Sequence, residues 1–222
     1  MPFWESGDMT LKKQMDSIYR DLTLDEIPWN IDSPPAAIKD LVESGWVAPC
    51  DAVDLGCGAG NYAIWLASKG FRMTGLDLSS TAIDLATDLA VQKGVVCRFM
   101  AQDMTSTVEG LDNAFDFSYD WEVLHHIFPE TREQYVMNVH RMLRSRGKYY
   151  SLCFSESDAP SFGGDGKYRK TPLGTTLYFS SERELRELFK PLFNIEQMRT
   201  VEVAGKKAPH MAVEALMSKR EV

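Results

Sequence analysis

The chain has 222 residues, 44% hydrophobic, 11% aromatic and 25% charged, a composition that excludes a disordered protein. Its formal net charge of −8 argues against a nucleic-acid partner, because gripping phosphates needs a basic face. No apolar run approaches the roughly 20 residues that span a bilayer, so no membrane partner is expected.

The start, Met1 to Asp8, has neither the basic nor the apolar region of a secretory signal. Cys50, Cys57, Cys97 and Cys153 form no CxxC pair and read as reduced thiols without zinc spacing. His125 and His126 are adjacent and cannot both turn easily to one ion, so no metal is expected. Cytoplasm is the expected compartment.

In chain order, an arm over residues 1–48 carries helical stretches at Leu11 to Leu22 and Ala36 to Val47, separated by Ile27-Pro28-Trp29-Asn30. Ala52 to Gly56 is a short strand ending in glycines, followed by a helix from Asn61 to Lys69 that stops at Gly70. Arg72 to Asp77 is a second strand. Ser79 or Ser80 caps a helix with an apolar stripe of Ile83, Leu85, Ala86 and Leu89, up to Gly94. Val95 to Met100 and Phe115 to Tyr119 are the third and fourth strands. Pro129 opens a helix through Leu143 that Gly147 closes, Lys148 to Phe154 is the fifth strand, and Ser180 or Ser181 caps a further helix that ends at Pro191. The alternation of strand and helix predicts a parallel sheet with helices on both faces. Phe193 to Val203 and Met211 to Met217 break it: the turn at Gly205 to Pro209 is too short for a crossover, so these two strands pair antiparallel. The whole chain is expected to form one unit, the arm lying over a core of residues 49–222. Lys12-Lys13 and Lys206-Lys207 read as solvated surface.

The sharpest motif is Asp54-Leu55-Gly56-Cys57-Gly58-Ala59-Gly60-Asn61 at a strand-to-helix turn, where glycines let a ligand approach the backbone. Asp77, at the tip of the second strand, can accept two hydrogen bonds from a ribose diol. A dinucleotide fingerprint would need glycine at position 61. Asp54 beside the loop would repel a pyrophosphate, yet suits the ammonium and sulfonium ends of S-adenosylmethionine.

Asp54 to Gly60 resembles the first motif of class I S-adenosylmethionine-dependent methyltransferases, and Gly75-Leu76-Asp77-Leu78-Ser79 resembles their second. Gln102-Asp103-Met104 resembles the segment that flanks the adenine. Phe115 to Trp121 resembles the fourth-strand motif, and Arg141-Met142-Leu143 to Gly147 the helix-to-strand turn, with Lys148 in place of a second glycine. The terminal hairpin also matches. Ile27-Pro28-Trp29-Asn30 resembles the arm of the branch that includes thiopurine and tellurite-resistance-type methyltransferases. The resemblance implies a Rossmann-like seven-stranded, mostly parallel α/β sheet with a C-terminal antiparallel hairpin. It also implies S-adenosylmethionine as cofactor and S-adenosylhomocysteine as product. The cofactor-holding residues it implies are Tyr19, Trp29, Asp54, Gly56, Cys57, Gly58, Asp77, Leu78, Gln102, Asp103, Met104, Asp120 and Trp121.

The expected function is in-line methyl transfer to a small-molecule nucleophile, with a thiol or another soft atom preferred. The alternatives are an O- or N-directed enzyme and a non-catalytic S-adenosylmethionine-binding module. His125 is the preferred candidate general base and His126 the second; one of them instead bonds to backbone in the bland reading. Trp29 either faces the sulfonium by cation–π attraction or only staples the arm to the core. The insertion Ser155 to Thr176, with Phe162-Gly163-Gly164-Asp165-Gly166-Lys167-Tyr168, is either a substrate lid or plain surface.

Overall fold

A computed structural model of the chain describes residues 10–159 and 164–221. Met1 to Asp8 and the Phe162-Gly163 part of the insertion lie outside the described residues. The elements are α1 (Leu11–Asp21), α2 (Ala36–Glu43), β1 (Asp51–Leu55), α3 (Asn61–Ser68), β2 (Arg72–Asp77), α4 (Ser80–Lys93), β3 (Cys97–Ala101) and β4 (Phe115–Trp121). They continue through α5 (Pro129–Met142), β5 (Leu143–Phe154), β6 (Tyr168–Lys170), β7 (Thr176–Tyr178), α6 (Glu182–Phe189), β8 (Phe193–Val203) and β9 (His210–Lys219).

Seven strands form one sheet in the order β3-β2-β1-β4-β5-β9-β8. β1, β2, β3, β4 and β5 pair in parallel, and β9 runs antiparallel to both β5 and β8. This is the α/β architecture expected from the sequence. Because side chains alternate along a strand, each strand feeds two cores. Val53, Leu55, Tyr149 and Cys153 pack with Tyr135, Val139, Leu185 and Phe189 of α5 and α6. Ala52, Phe117, Tyr119 and Tyr150 pack on the other face with Ile38, Leu41, Ala63 and Leu66 of α2 and α3.

Local chemistry sets the helix ends. Ser79 caps α4 by accepting from the Ala82 N–H at 3.2 Å, and Gly94 ends that helix in the left-handed region at φ +65°. Ser181 and Glu184 form a reciprocal capping box on α6. One expectation needs correction. The helix α5 stops at Met142 rather than running to Gly147, and Leu143 leads straight into β5 through an irregularity in the pairing with β4. In the described part of the insertion and just beyond it, β6 and β7 form a small separate hairpin around a turn in which the Thr171 N–H donates to Thr175 O at 2.7 Å.

The arm is pinned to the core at several points. The Ser79 hydroxyl donates to Asp16 at 2.7 Å, and the Asn61 amide donates to Asn30 at 3.0 Å. Lys206 is exposed, as expected, and its ammonium also donates to the Ile27, Asp25 and Leu24 carbonyls at 2.9, 3.1 and 3.4 Å. The reach of a lysine stem across the hairpin turn makes this possible. Among the described residues no helix is long and apolar enough to cross a membrane.

Candidate active site

The tips of β1, β2 and β4 open into a cavity of about 790 Å³, a size usual for small-molecule sites. Its position is the crevice where successive parallel strands lead away in opposite directions from β1, the place where α/β sheets bind ligands. The arm, the start of α5 and the β6–β7 hairpin complete the wall, with Gln14 donating to Leu173 O at 3.5 Å where arm and hairpin meet.

The glycine loop is fixed from below. The Gly56 and Cys57 N–H groups both donate to Leu76 O, at 2.7 and 3.0 Å. Gly58 has φ +53°, and a Cβ there would lie 2.6 Å from the Tyr19 hydroxyl, so only glycine lets the arm close on the loop. That hydroxyl also accepts from the Trp29 indole N–H at 2.8 Å. The Asp77 carboxylate accepts from the Gly58 N–H at 2.9 Å and the Ser79 N–H at 2.8 Å, one bond on each oxygen. A carboxylate offers about four acceptor positions, so capacity for a diol remains. Asp54 is buried and makes no ion pair among the described residues; burial pushes its carboxyl up to about 7. A buried acid lacking a cation, next to a donor-rich loop, fits a ligand that brings its own positive charge. On the far side Gln102, Asp103, Met104 and Thr105 line the wall, with Asp103 accepting from the Thr105 N–H and hydroxyl at 2.8 and 2.7 Å.

Of the residues singled out in the sequence, Tyr19, Trp29, Asp54, Gly56, Cys57, Gly58, Asp77, Leu78, Gln102, Asp103, Met104, Trp121 and His126 line this cavity. Asp120 does not, and this is a correction. It lies one position out of phase with Trp121, so the strand's alternation turns it to the opposite face. There Ser151 donates to it at 2.9 Å and Tyr135 at 3.3 Å, with Tyr149 as a third donor, and burial pushes it up to about 6.

His125, the preferred base, is also turned away. Its ring stacks on Phe154 at 4.3 Å and its Nδ1 accepts from the Phe154 N–H at 3.4 Å. His126 faces the cavity, edge-on to Trp29 at 6.2 Å, with a buried Nδ1 that has no partner. Burial holds its pKa down to about 4, so the imidazole is neutral near pH 7. The buried Arg132 guanidinium fixes this turn, donating to Ile127 O at 2.7 Å, Leu124 O at 2.9 Å and the Ser180 hydroxyl at 2.8 Å.

Sequence reasoning gave several wall residues no individual role. Glu122 and Tyr62 follow β4 and open α3, and the strand-tip rule that selected Asp77 applies equally to Glu122. Lys170, Gly174 and Thr176 come from the β6–β7 hairpin, whose Pro172 and Gly174 are turn residues in the sequence. Among the described residues no cluster of ligands suited to a metal ion occurs.

Comparison with known proteins agrees with this geometry. A family model described as a methyltransferase domain matches residues 52–147. The 2-heptyl-1-hydroxyquinolin-4(1H)-one methyltransferase of Mycobacteroides abscessus is 30% identical over 193 residues, covering 85% of this chain and 79% of that protein. Two solved structures share the fold. One, reported for the conversion of a disulfide bond into a thioacetal group during echinomycin biosynthesis, superposes with a TM-score of 0.80 at 25% identity, covering 95% of this chain and 92% of that one. The other is the Burkholderia thailandensis 1,6-didemethyltoxoflavin-N1-methyltransferase with bound S-adenosylhomocysteine, at a TM-score of 0.76 and 23% identity, covering 95% and 88%. By descent and by architecture, this chain belongs to the class I S-adenosylmethionine-dependent methyltransferases.

Proposed function

We propose that the enzyme methylates a small, uncharged, ring-bearing acceptor on an O–H or N–H group, using the lobe of the cavity next to His126. The bound cofactor supplies an electrophilic methyl group on a sulfonium sulfur. Asp54 balances its positive charge, and Asp77 accepts from the ribose hydroxyls. Gln102, Asp103, Met104 and Leu78 surround the adenine. Tyr19 and Trp29 cover the bound molecule from the arm, an indole beside a sulfonium contributing about 0.5–2 kcal/mol. The chain's main contribution is to align the two reactants and exclude water.

The observation that carries the acceptor class is the neutral imidazole of His126 in the cavity wall, its buried Nδ1 without a protein partner. A group of this kind hydrogen-bonds a polar acceptor without adding charge. Trp29, Trp121, Ile127 and Phe128 supply apolar surface, and the acids Asp54, Asp77, Asp103, Glu122 and Glu130 outnumber the bases Lys12 and Lys170, which disfavours an anionic acceptor. The β6–β7 hairpin serves as the substrate lid, since its turn closes against Gln14 of the arm. A sulfur acceptor is the second reading, supported by the sulfur chemistry reported for the echinomycin neighbour.

A panel assay with labelled methyl donor separates the two. Turnover is expected with 2-heptyl-1-hydroxyquinolin-4(1H)-one or a ring N–H heterocycle. Turnover confined to aryl thiols would contradict the O–H or N–H reading and favour sulfur.

A further inference from the structure

We propose that Glu122 is the proton acceptor of the reaction, taking the O–H or N–H proton of the acceptor as the methyl group is transferred. This rests on the acceptor class just proposed.

The geometry at the end of β4 is unusual. The Glu122 N–H still donates to Leu152 O at 2.8 Å, yet the residue adopts φ +61°, the left-handed region that costs a non-glycine residue backbone energy. Among the described residues two other non-glycine residues, Asn113 and Arg146, share that region, and neither lines the cavity. Immediately after the bend, Val123 packs against the glycine loop so closely that its Cγ2 would lie 2.5 Å from a Cβ on Gly56. The bend therefore seats Glu122 in the wall of the cavity that the glycine loop also lines.

The carboxylate also lacks the partners its neighbours have. Asp77 and Asp103 are each tied to backbone N–H groups. Glu122 makes no side-chain hydrogen bond or ion pair among the described residues, and neither Lys12 on α1 nor Lys170 on β6 pairs with it. The Tyr62 phenol from α3 lies near it, and Asp54 from β1 and the neutral His126 from the turn after β4 line the same cavity. Burial and the two carboxylates, Glu122 and Asp54, push the Tyr62 phenol up, so it stays protonated. Burial pushes Glu122 itself up to about 7, near the value at which a base works best at neutral pH. His126, held down to about 4, is a poor resting place for a proton by the same rule.

The step balances without a further reagent. The acceptor's lone pair forms the new bond to the methyl carbon, the carbon–sulfur pair leaves on sulfur, and the acceptor's proton passes to a Glu122 carboxylate oxygen.

The test uses Glu122→Gln, which keeps size and shape, with 2-heptyl-1-hydroxyquinolin-4(1H)-one as acceptor and calorimetry with S-adenosylhomocysteine. The expected result is a kcat lower by about 100-fold or more, within the range general bases contribute, with the dissociation constant for S-adenosylhomocysteine unchanged. The wild-type rate should rise with pH through about 7 and level off, because the ionised carboxylate is the active form, and the variant should lose that rise. An unchanged kcat would overturn the proposal. So would S-adenosylhomocysteine affinity falling in step with the rate, which would make Glu122 a seat for the cofactor's ammonium. If the wild-type enzyme turns over thiols alone, the acceptor reading fails and takes the base with it. Activity on the hydroxyquinolone with Glu122→Gln unimpaired fails the base alone.

Discussion

At the scale of single residues, burial pushes the acids in and beside the site upward and the imidazoles downward. Asp54 and Glu122 are pushed up to about 7 and Asp120 to about 6, while His126 is held down to about 4 and His125 well below its usual value. These shifts set a stability profile. Between pH 4 and 6.5 the raised carboxyls bind protons that the unfolded chain has lost, which favours the acid side. The two imidazoles refuse protons that the unfolded chain would take, which opposes it. Above about 6.5 the unfolded imidazoles lose their protons as well, so their opposition fades while Asp54 and Glu122 still titrate. Their folded form binds more protons than the unfolded form, so stability falls as pH rises from 6.5 to 8. Thermal unfolding of the ligand-free protein should show that fall, and S-adenosylmethionine, whose positive charge stabilises the ionised Asp54, should flatten it. A Tm that climbs over this interval would show that the acids are not shifted upward. Which residues carry these shifts was only partly legible in the sequence. Asp54 and Asp77 follow from the motif. Choosing His126 over His125, or rejecting Asp120, requires knowing which way each side chain turns, and a strand's alternation gives that only once its register is fixed.

Among the elements, the arm and the β6–β7 hairpin form part of the cavity wall. Lys206 ties three carbonyls of the 24–27 loop to the β8–β9 turn, a few residues from Trp29 and its bond to Tyr19. Lys206→Ala should speed amide exchange across residues 23–30 by about threefold or more, the scale of one hydrogen bond. Lys207→Ala, which removes the same charge, should not. Equal exchange in the two variants would mean that Lys206 is plain surface. The strand and helix order was readable because apolar periodicity, caps and glycine stops agree at each boundary, as at Ser79 and Gly94. The β6–β7 hairpin was not, since Tyr168-Arg169-Lys170 carries no alternating apolar pattern and the pairing depends on the turn at Pro172 to Gly174. The role of Lys206 is equally invisible in sequence, because it joins residues about 180 positions apart.

Across the whole molecule, the sheet order places β1 between β2 and β4, so one crevice receives the glycine loop, the Asp77 tip and the Glu122 bend together. The arm covers this crevice from one side and the β6–β7 hairpin from another, and we infer that residues 1–222 work as one unit in which closure over both ligands precedes transfer. The family assignment rests on sequence similarity, whereas the placement of the cofactor rests on the charge logic of Asp54 and Asp77. Calorimetric titration tests that placement most directly, with S-adenosylhomocysteine and NAD compared on the native protein and on Asp77→Ala. The account predicts one S-adenosylhomocysteine site on the native protein, weakened by about 1.5–3 kcal/mol in the variant, the worth of a hydrogen bond to a charged group, and no NAD binding. Saturation by NAD, or S-adenosylhomocysteine affinity untouched by Asp77→Ala, would contradict it.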